Sequence, residues 1–220
     1  MDQATRRLLA HQALGGYVSG PNAPLRAAAD ALAKAASAQA MILVEGISDQ
    51  IALETLATRC HRNLDAEAVA VLPVGGAQAI GQYLRRFGPE GANLPMAGLC
   101  DAGEEELFRR SLSAAGLGAP ETRFDMRQLG FHVCVDDLED ELIRAAGTDR
   151  IEELFDTQGD LGSFRTLQAQ PAWRTKSLGQ QMRRFLGSGA RRKLRYARLI
   201  ITTLDLHQMP PPLTDTLASV

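Results

Sequence analysis

At 220 residues, 45% hydrophobic and 23% charged, the chain suffices for one α/β domain with a small appendage and is too apolar to stay unfolded. No apolar run approaches the roughly 18 residues of a membrane helix, no signal-peptide stretch opens the chain, and the scattered Cys60, Cys100 and Cys134 suit neither a disulfide framework nor a zinc site; a reducing cytoplasm is the expected setting. The net charge of −2 conceals an asymmetry: Leu161–Leu204 holds ten bases and no acid, a pattern that fits a polyanionic partner or a solvated helical face.

The elements follow in chain order. Thr5–Leu14 and Pro24–Ser37 read as helices, the second Ala-rich and led in by Pro21 and Pro24. Ala40–Val44 is a continuous apolar run, as expected of a strand buried on both faces, and it ends at Glu45–Gly46. Ser48 is the expected cap of a helix over Asp49–Arg59. Val69–Val74, ending in Gly75–Gly76, is a second strand and Ala77–Phe87 a second helix. Leu94–Cys100 is a third strand, ending at Asp101 before a helix over Gly103–Ala115. Phe131–Val135 is the fourth, running into the acidic helix start Asp136–Glu141. Beyond it, Ile151–Phe155, Ser177–Leu186 and Ala190–Leu206 are predicted helices. The last carries Leu194, Ala197, Ile201 and Leu204 on one stripe that should face the sheet, and Pro210–Pro212 should end it. Trp173 is expected to anchor this tail.

Four alternations of strand and helix predict an α/β fold: a four-stranded, mostly parallel sheet flanked by helices. Residues 1–39 form an N-terminal helical extension, 40–147 the sheet domain, and 148–220 a basic, mostly helical C-terminal extension packed against it.

Open parallel sheets bind ligands beyond the carboxyl ends of their strands. Acids stand at three of the four ends: Glu45, Asp101 and the Asp136–Glu141 cluster, with Asp49 one turn beyond Glu45. Carboxylates converging there would repel one another unless a cation lay between them, and their hard oxygens select Mg²⁺, Mn²⁺ or Ca²⁺. Each acid also has a local reading. Asp101 and Glu104 have the spacing of a capping pair, and Asp49 and Asp137 suit the positive end of a helix dipole. Glu45 does not: at the end of a buried strand it caps poorly and is costly to bury unpaired.

The run Ile42–Leu43–Val44–Glu45–Gly46–Ile47–Ser48–Asp49, followed by Gly98–Leu99–Cys100–Asp101, resembles a Toprim domain, in particular the Toprim part of the OLD (overcoming lysogenization defect) family of nucleases. The acidic stretch Asp137–Leu142 is similar to a later motif of that family, and Lys193 stands where its late lysine is expected. The chain departs from the pattern at Asp101–Ala102–Gly103, where the family has Asp-x-Asp, so Glu104 is the candidate substitute. It also contains no Gly-x-x-x-x-Gly-Lys-(Ser/Thr) loop, so it looks like a stand-alone Toprim protein, with a separately encoded ATPase partner left open.

What the resemblance implies is a Toprim, Rossmann-like fold and metal-dependent hydrolysis of DNA, with RNA as an alternative substrate. Glu45, Asp49, Asp101, Glu104 and Glu139 would hold one or two Mg²⁺ or Mn²⁺ ions. Glu45 would alternatively act as general acid or base, and Lys193 would offset charge on the phosphate. Arg191, Arg192 and Arg195 would track the nucleic-acid backbone, and the N-terminal helices could make a homodimer contact. The missing aspartate motivates a second reading, a non-catalytic module that binds nucleic acid or a partner protein.

Overall fold

The computed structural model describes residues 2–15, 17 and 22–220; Pro21 lies outside them. Helices α1 (Gln3–Leu14) and α2 (Ala23–Ala35) precede the sheet. Strand β1 (Ala40–Val44) is fully buried, as its unbroken apolar sequence requires, and leads into α3 (Ile47–Arg59). Strand β2 (Val69–Pro73) is followed by a 3₁₀ turn and α4 (Ile80–Phe87). Strand β3 (Met96–Cys100) is followed by a 3₁₀ turn at Ala102–Glu104, α5 (Glu105–Ala114) and α6 (Arg123–Gln128). Strand β4 (Phe131–Val133) leads to α7 (Leu138–Ala146). The remainder is helical: α8 (Thr148–Thr157), α9 (Leu161–Ala169), α10 (Leu178–Gly187), α11 (Ala190–Thr203) and α12 (Pro211–Ala218).

The strands pair in parallel in the order β2-β1-β3-β4. Val44 lies opposite Pro73 and Leu99, so the ends of the central strands are level and the residues after them share one edge of the sheet. Alternation along each strand divides the core. Ile42, Val44, Val71 and Leu99 face a layer built by α3, α7 and the C-terminal helices. Met41, Leu43, Leu72 and Cys100 face α2, α4, α5 and α6. Gly98 permits the close approach of β4: a Cβ there would lie 2.5 Å from the Phe131 ring.

Several boundaries differ from the sequence expectation for identifiable reasons. Gly46, not Ser48, occupies the cap of α3; Ser48 is buried in the first turn, and the Asp49 carboxylate accepts from the Gly46 N–H at 3.0 Å. Strand β4 stops before Val135 because the Glu141 carboxylate accepts the Val135 N–H at 2.7 Å. Pro210–Pro212 opens a helix rather than closing one: Pro211 starts α12, where a missing N–H costs nothing. Leu213 and Leu217 of α12 join the sheet core. Helices α6 and α9 were not expected. No helix among the described residues is long and apolar enough to cross a membrane.

The predicted stripe Leu194, Ala197, Ile201 and Leu204 is buried, and Trp173 is half-buried with the Arg184 guanidinium 5.9 Å from its ring centre. The tail is tied at Asp160, which is 4% exposed. Its carboxylate takes Arg6 of α1 at 2.9 Å, the Tyr196 hydroxyl at 3.1 Å, and Arg195, itself buried. Removing the charge of one partner in such a cluster leaves the others buried and unmatched. Asp160→Asn is therefore expected to cost about 3–5 kcal/mol, measured as a drop in the urea midpoint; an unchanged midpoint would show that the cluster stores no net stability.

Candidate metal and phosphodiester site

Three strand ends bring the acids together. Glu45 follows β1, Asp101 follows β3, and Glu139 lies in the first turn of α7 after β4. Asp49, in the first turn of α3, is 7% exposed and Glu139 5%. The Glu45 carboxylate accepts the Asp101 N–H at 2.7 Å, which links the ends of β1 and β3 directly. Asp101 makes no side-chain capping bond, so the capping alternative does not account for it and its carboxylate is left for the cluster. Asp137 does cap: its carboxylate accepts the Asp140 N–H at 2.8 Å and pairs with Arg183 at 2.7 Å. Glu141 is spent on Val135 and on Arg144 at 2.7 Å.

Lys193 reaches into this cluster from α11. Its Nζ lies 3.1 Å from Glu139 Oε2. Burial works against the ammonium, but Glu139, Asp49 and Asp101 hold the Lys193 pKa above its usual value. The carboxylates are displaced in the opposite sense. Burial raises Glu45 to about 7, with Asp101 and Glu104 adding repulsion. Asp49 is raised to about 7 by burial, then by Glu139 and Glu45, and Asp101 to about 7 by burial and by Asp49. Glu139 is likewise raised, chiefly by burial, with Lys193 opposing. One lysine thus faces four carboxylates with shared edges of the same buried space.

The predicted residues separate into two groups. Glu45, Asp49, Asp101, Glu139 and Lys193 converge, and Glu104 stands near enough for its charge to act on Glu45. Arg191 is exposed at the start of α11. Arg192 and Arg195 do not join a solvent-facing track. Arg195 is buried against Asp160 and Tyr196, while Arg192 bonds Ser188 Oγ at 2.6 Å and stacks 3.9 Å from the Phe185 ring centre. Their side chains are consumed by packing of the tail, a use that charge density in a sequence does not reveal. The sequence also gave no notice of Asp160, since it lies in no motif, or of Arg183, which fixes the Asp136–Asp137 corner.

Residues 38–102 match the family model described as overcoming lysogenization defect protein-like, TOPRIM domain. The chain carries a Toprim domain similar to that of OLD proteins. The solved C-terminal region of the Xanthomonas campestris pv. campestris OLD protein superposes with a TM-score of 0.63 at 21% identity, over 85% of this chain and 94% of that one. The C-terminal region of the Burkholderia pseudomallei OLD protein gives 0.60 at 19% identity, over 82% and 96%. No curated protein matches the chain. At these identities the likeness is one of fold, and it extends through the helices after the Toprim match. Glu139 and Lys193 lie outside the matched residues; the fold brings them to Glu45, Asp49 and Asp101.

The donor chemistry of this edge suits a hard divalent cation: every ligand candidate is a carboxylate, and their buried negative charge exceeds what Lys193 supplies. As the side chains stand, no three His, Cys, Asp or Glu groups among the described residues are arranged to hold an ion. Residue 103 is open: a Cβ on Gly103 would meet nothing within 4 Å.

A carboxyl group whose pKa folding raises stabilises the native state below its unfolded pKa of roughly 4, and this contribution is lost as pH rises through its folded value. For Glu45, Asp49 and Asp101 the loss extends to about 7. In EDTA, Glu45→Gln is therefore expected to gain stability on the unsubstituted protein between about pH 5 and about pH 8. Urea midpoints at both pH values measure it; parallel midpoints would mean that Glu45 is not held in a desolvated site.

Proposed function

We propose that the protein is a divalent-metal-dependent nuclease that hydrolyses phosphodiester bonds of DNA at the edge formed by Glu45, Asp49, Asp101 and Glu139. The observation that carries this reading is the convergence of those four carboxylates with Lys193 at the carboxyl ends of parallel strands in a Toprim-type fold. Asp49, Asp101 and Glu139 would be the principal metal holders, with Glu45 and Glu104 at the β1–β3 side. A bound Mg²⁺ or Mn²⁺ would polarise the scissile phosphate and favour formation of the attacking nucleophile. Lys193, paired with Glu139, would be available to the phosphate once a cation took up that carboxylate.

The remaining chemistry belongs to the chain. Glu45, with a pKa near 7, can exchange a proton at neutral pH, which is what a general acid or base requires. Lys193 would supply positive charge against the negative charge that builds up on the phosphate, and its partly buried setting would strengthen that interaction. Gly103 favours a second reading, in which the site binds metal weakly and the protein serves as a nucleic-acid or protein-binding module. Catalysis separates the two readings.

Supercoiled plasmid incubated with Mg²⁺ or Mn²⁺ is expected to be nicked or linearised, with no reaction in EDTA. Glu45→Gln is expected to lose at least about 100-fold in rate while retaining DNA binding. Gly103→Asp, which adds a carboxylate in open space, is expected to raise the rate or lower the Mg²⁺ needed. Binding without cleavage under any metal, unrelieved by Gly103→Asp, would favour the binding module.

A further inference from the structure

Two concavities meet at Arg191. One, of about 760 Å³, lies next to the carboxylate edge and is lined by Pro24, Ile47, Ser48, Gly75, Lys193 and Leu194 besides Arg191. Its walls are mainly apolar, with Lys193 at the end nearest the acids. The other, of about 340 Å³, runs between α1 and α11 and is lined by Arg7, Ala10, His11, Leu14 and Tyr17 besides Arg191. No acid lines this second cleft among the described residues.

The geometry of α1 is set by contacts that do not use Arg7 or His11. Arg6 is drawn into the Asp160 cluster at 2.9 Å. Arg198 of α11 donates to the carbonyls of Ala13 and Gly15 at 3.3 Å each. A Cβ at Gly15 would meet only the tip of that guanidinium. With α1 held in this way, Arg7 and His11 are exposed along the cleft, and neither Arg7 nor Arg191 forms an ion pair among the described residues. The bases of α11 thus divide by environment: Arg192 and Arg195 face Asp160, Lys193 reaches to Glu139, and Arg191 is exposed where the two concavities meet.

We propose that this double groove carries a single nucleic-acid strand away from the carboxylate edge, with a nucleoside in the apolar part and successive phosphates on Arg191 and Arg7. The inference rests on the proposed nuclease reading for the direction of the strand, and it assigns to α1 a binding role. An apolar hollow that shares Arg191 with a cationic cleft suits an unpaired nucleotide, whose base face is available for burial; in a duplex the bases are stacked inside. The first turn of α11 adds to the positive side: Gly189, its cap residue, offers no side chain, and Gly189 and Ala190 line the hollow.

The test is binding of a fluorescently labelled oligothymidylate of about 20 nucleotides, in EDTA so that cleavage and metal bridging contribute nothing, over a range of salt concentrations. Each phosphate contact to a single strand contributes about 0.7 to the slope of log affinity against log salt. Arg7→Ala and Arg191→Ala are each expected to weaken binding and to lower the slope by about that amount. Arg85→Ala, on α4 in the opposite layer, is expected to leave it unchanged. Ala190→Trp, which fills the hollow, is expected to weaken binding at an unchanged slope. Slopes that do not respond to Arg7→Ala and Arg191→Ala overturn the proposal, as does tighter binding of a hairpin duplex with the same arginine dependence. Plasmid cleavage is read separately: its absence with the expected slopes defeats the nuclease reading and leaves the groove, whereas cleavage with unresponsive slopes does the reverse.

Discussion

Asp160 brings a single negative charge into a space shared with the guanidinium groups of Arg6 and Arg195, with Arg192 at 3.6 Å and the Tyr196 hydroxyl completing its partners. Three elements meet there: α1 through Arg6, the start of α9 through Asp160 itself, and α11 through the others. Because Lys193 lies on the same helix as Arg192 and Arg195, the depth to which α11 is pulled in also fixes how far the lysine reaches over the sheet. A stretch with ten bases and no acid would otherwise repel itself. One buried acid from just outside it and the aromatic faces of Phe185 and Tyr196 absorb two of those charges, and Arg165, Arg183 and Lys193 pair with acids from elsewhere in the chain.

The carboxylate edge has the opposite imbalance. Parallel pairing with level strand ends concentrates Glu45, Asp101 and Glu139 in one place, and the hydrogen bond from Asp101 N–H to Glu45 holds two of these ends in register. Burial then works against the very charges that the chemistry requires. The outcome is a set of acids near neutrality and a lysine held firmly protonated. Such a site is ready for a cation by electrostatics before it is ready by geometry, which is consistent with carboxylates that lie close together without forming a preassembled ligand cage.

The sheet was legible because its signal is local and strong. The unbroken apolar run of Ala40–Val44 admits little besides a doubly covered strand, and acids at successive strand ends fall together once the pairing is parallel. The site acids could be selected for the same reason, and the family resemblance added Lys193 from far along the chain. The C-terminal helices were only partly legible. Helix α9 begins at an Asp160 whose side chain is spent on distant arginines, so the local capping signal is absent. Pro210–Pro212 gave a stop signal where the chain uses proline as a first-turn residue, an ambiguity that only the packing of Leu213 and Leu217 resolves. The fate of individual arginines was the least legible feature: Arg191, Arg192 and Arg195 look alike in sequence, and helical geometry sends them to different environments.

Gly103 stands in unobstructed space beside a buried and tightly coupled set of acids. Most positions around such a set are constrained by packing, so altering the chemistry there normally disturbs folding as well. Position 103 is exempt in its first atom, because a Cβ there would meet nothing within 4 Å. Evolution can therefore add or withdraw a charged group at this point without having to re-establish stability. That makes residue 103 a place where the charge of the carboxylate edge can change under selection while the architecture stays fixed.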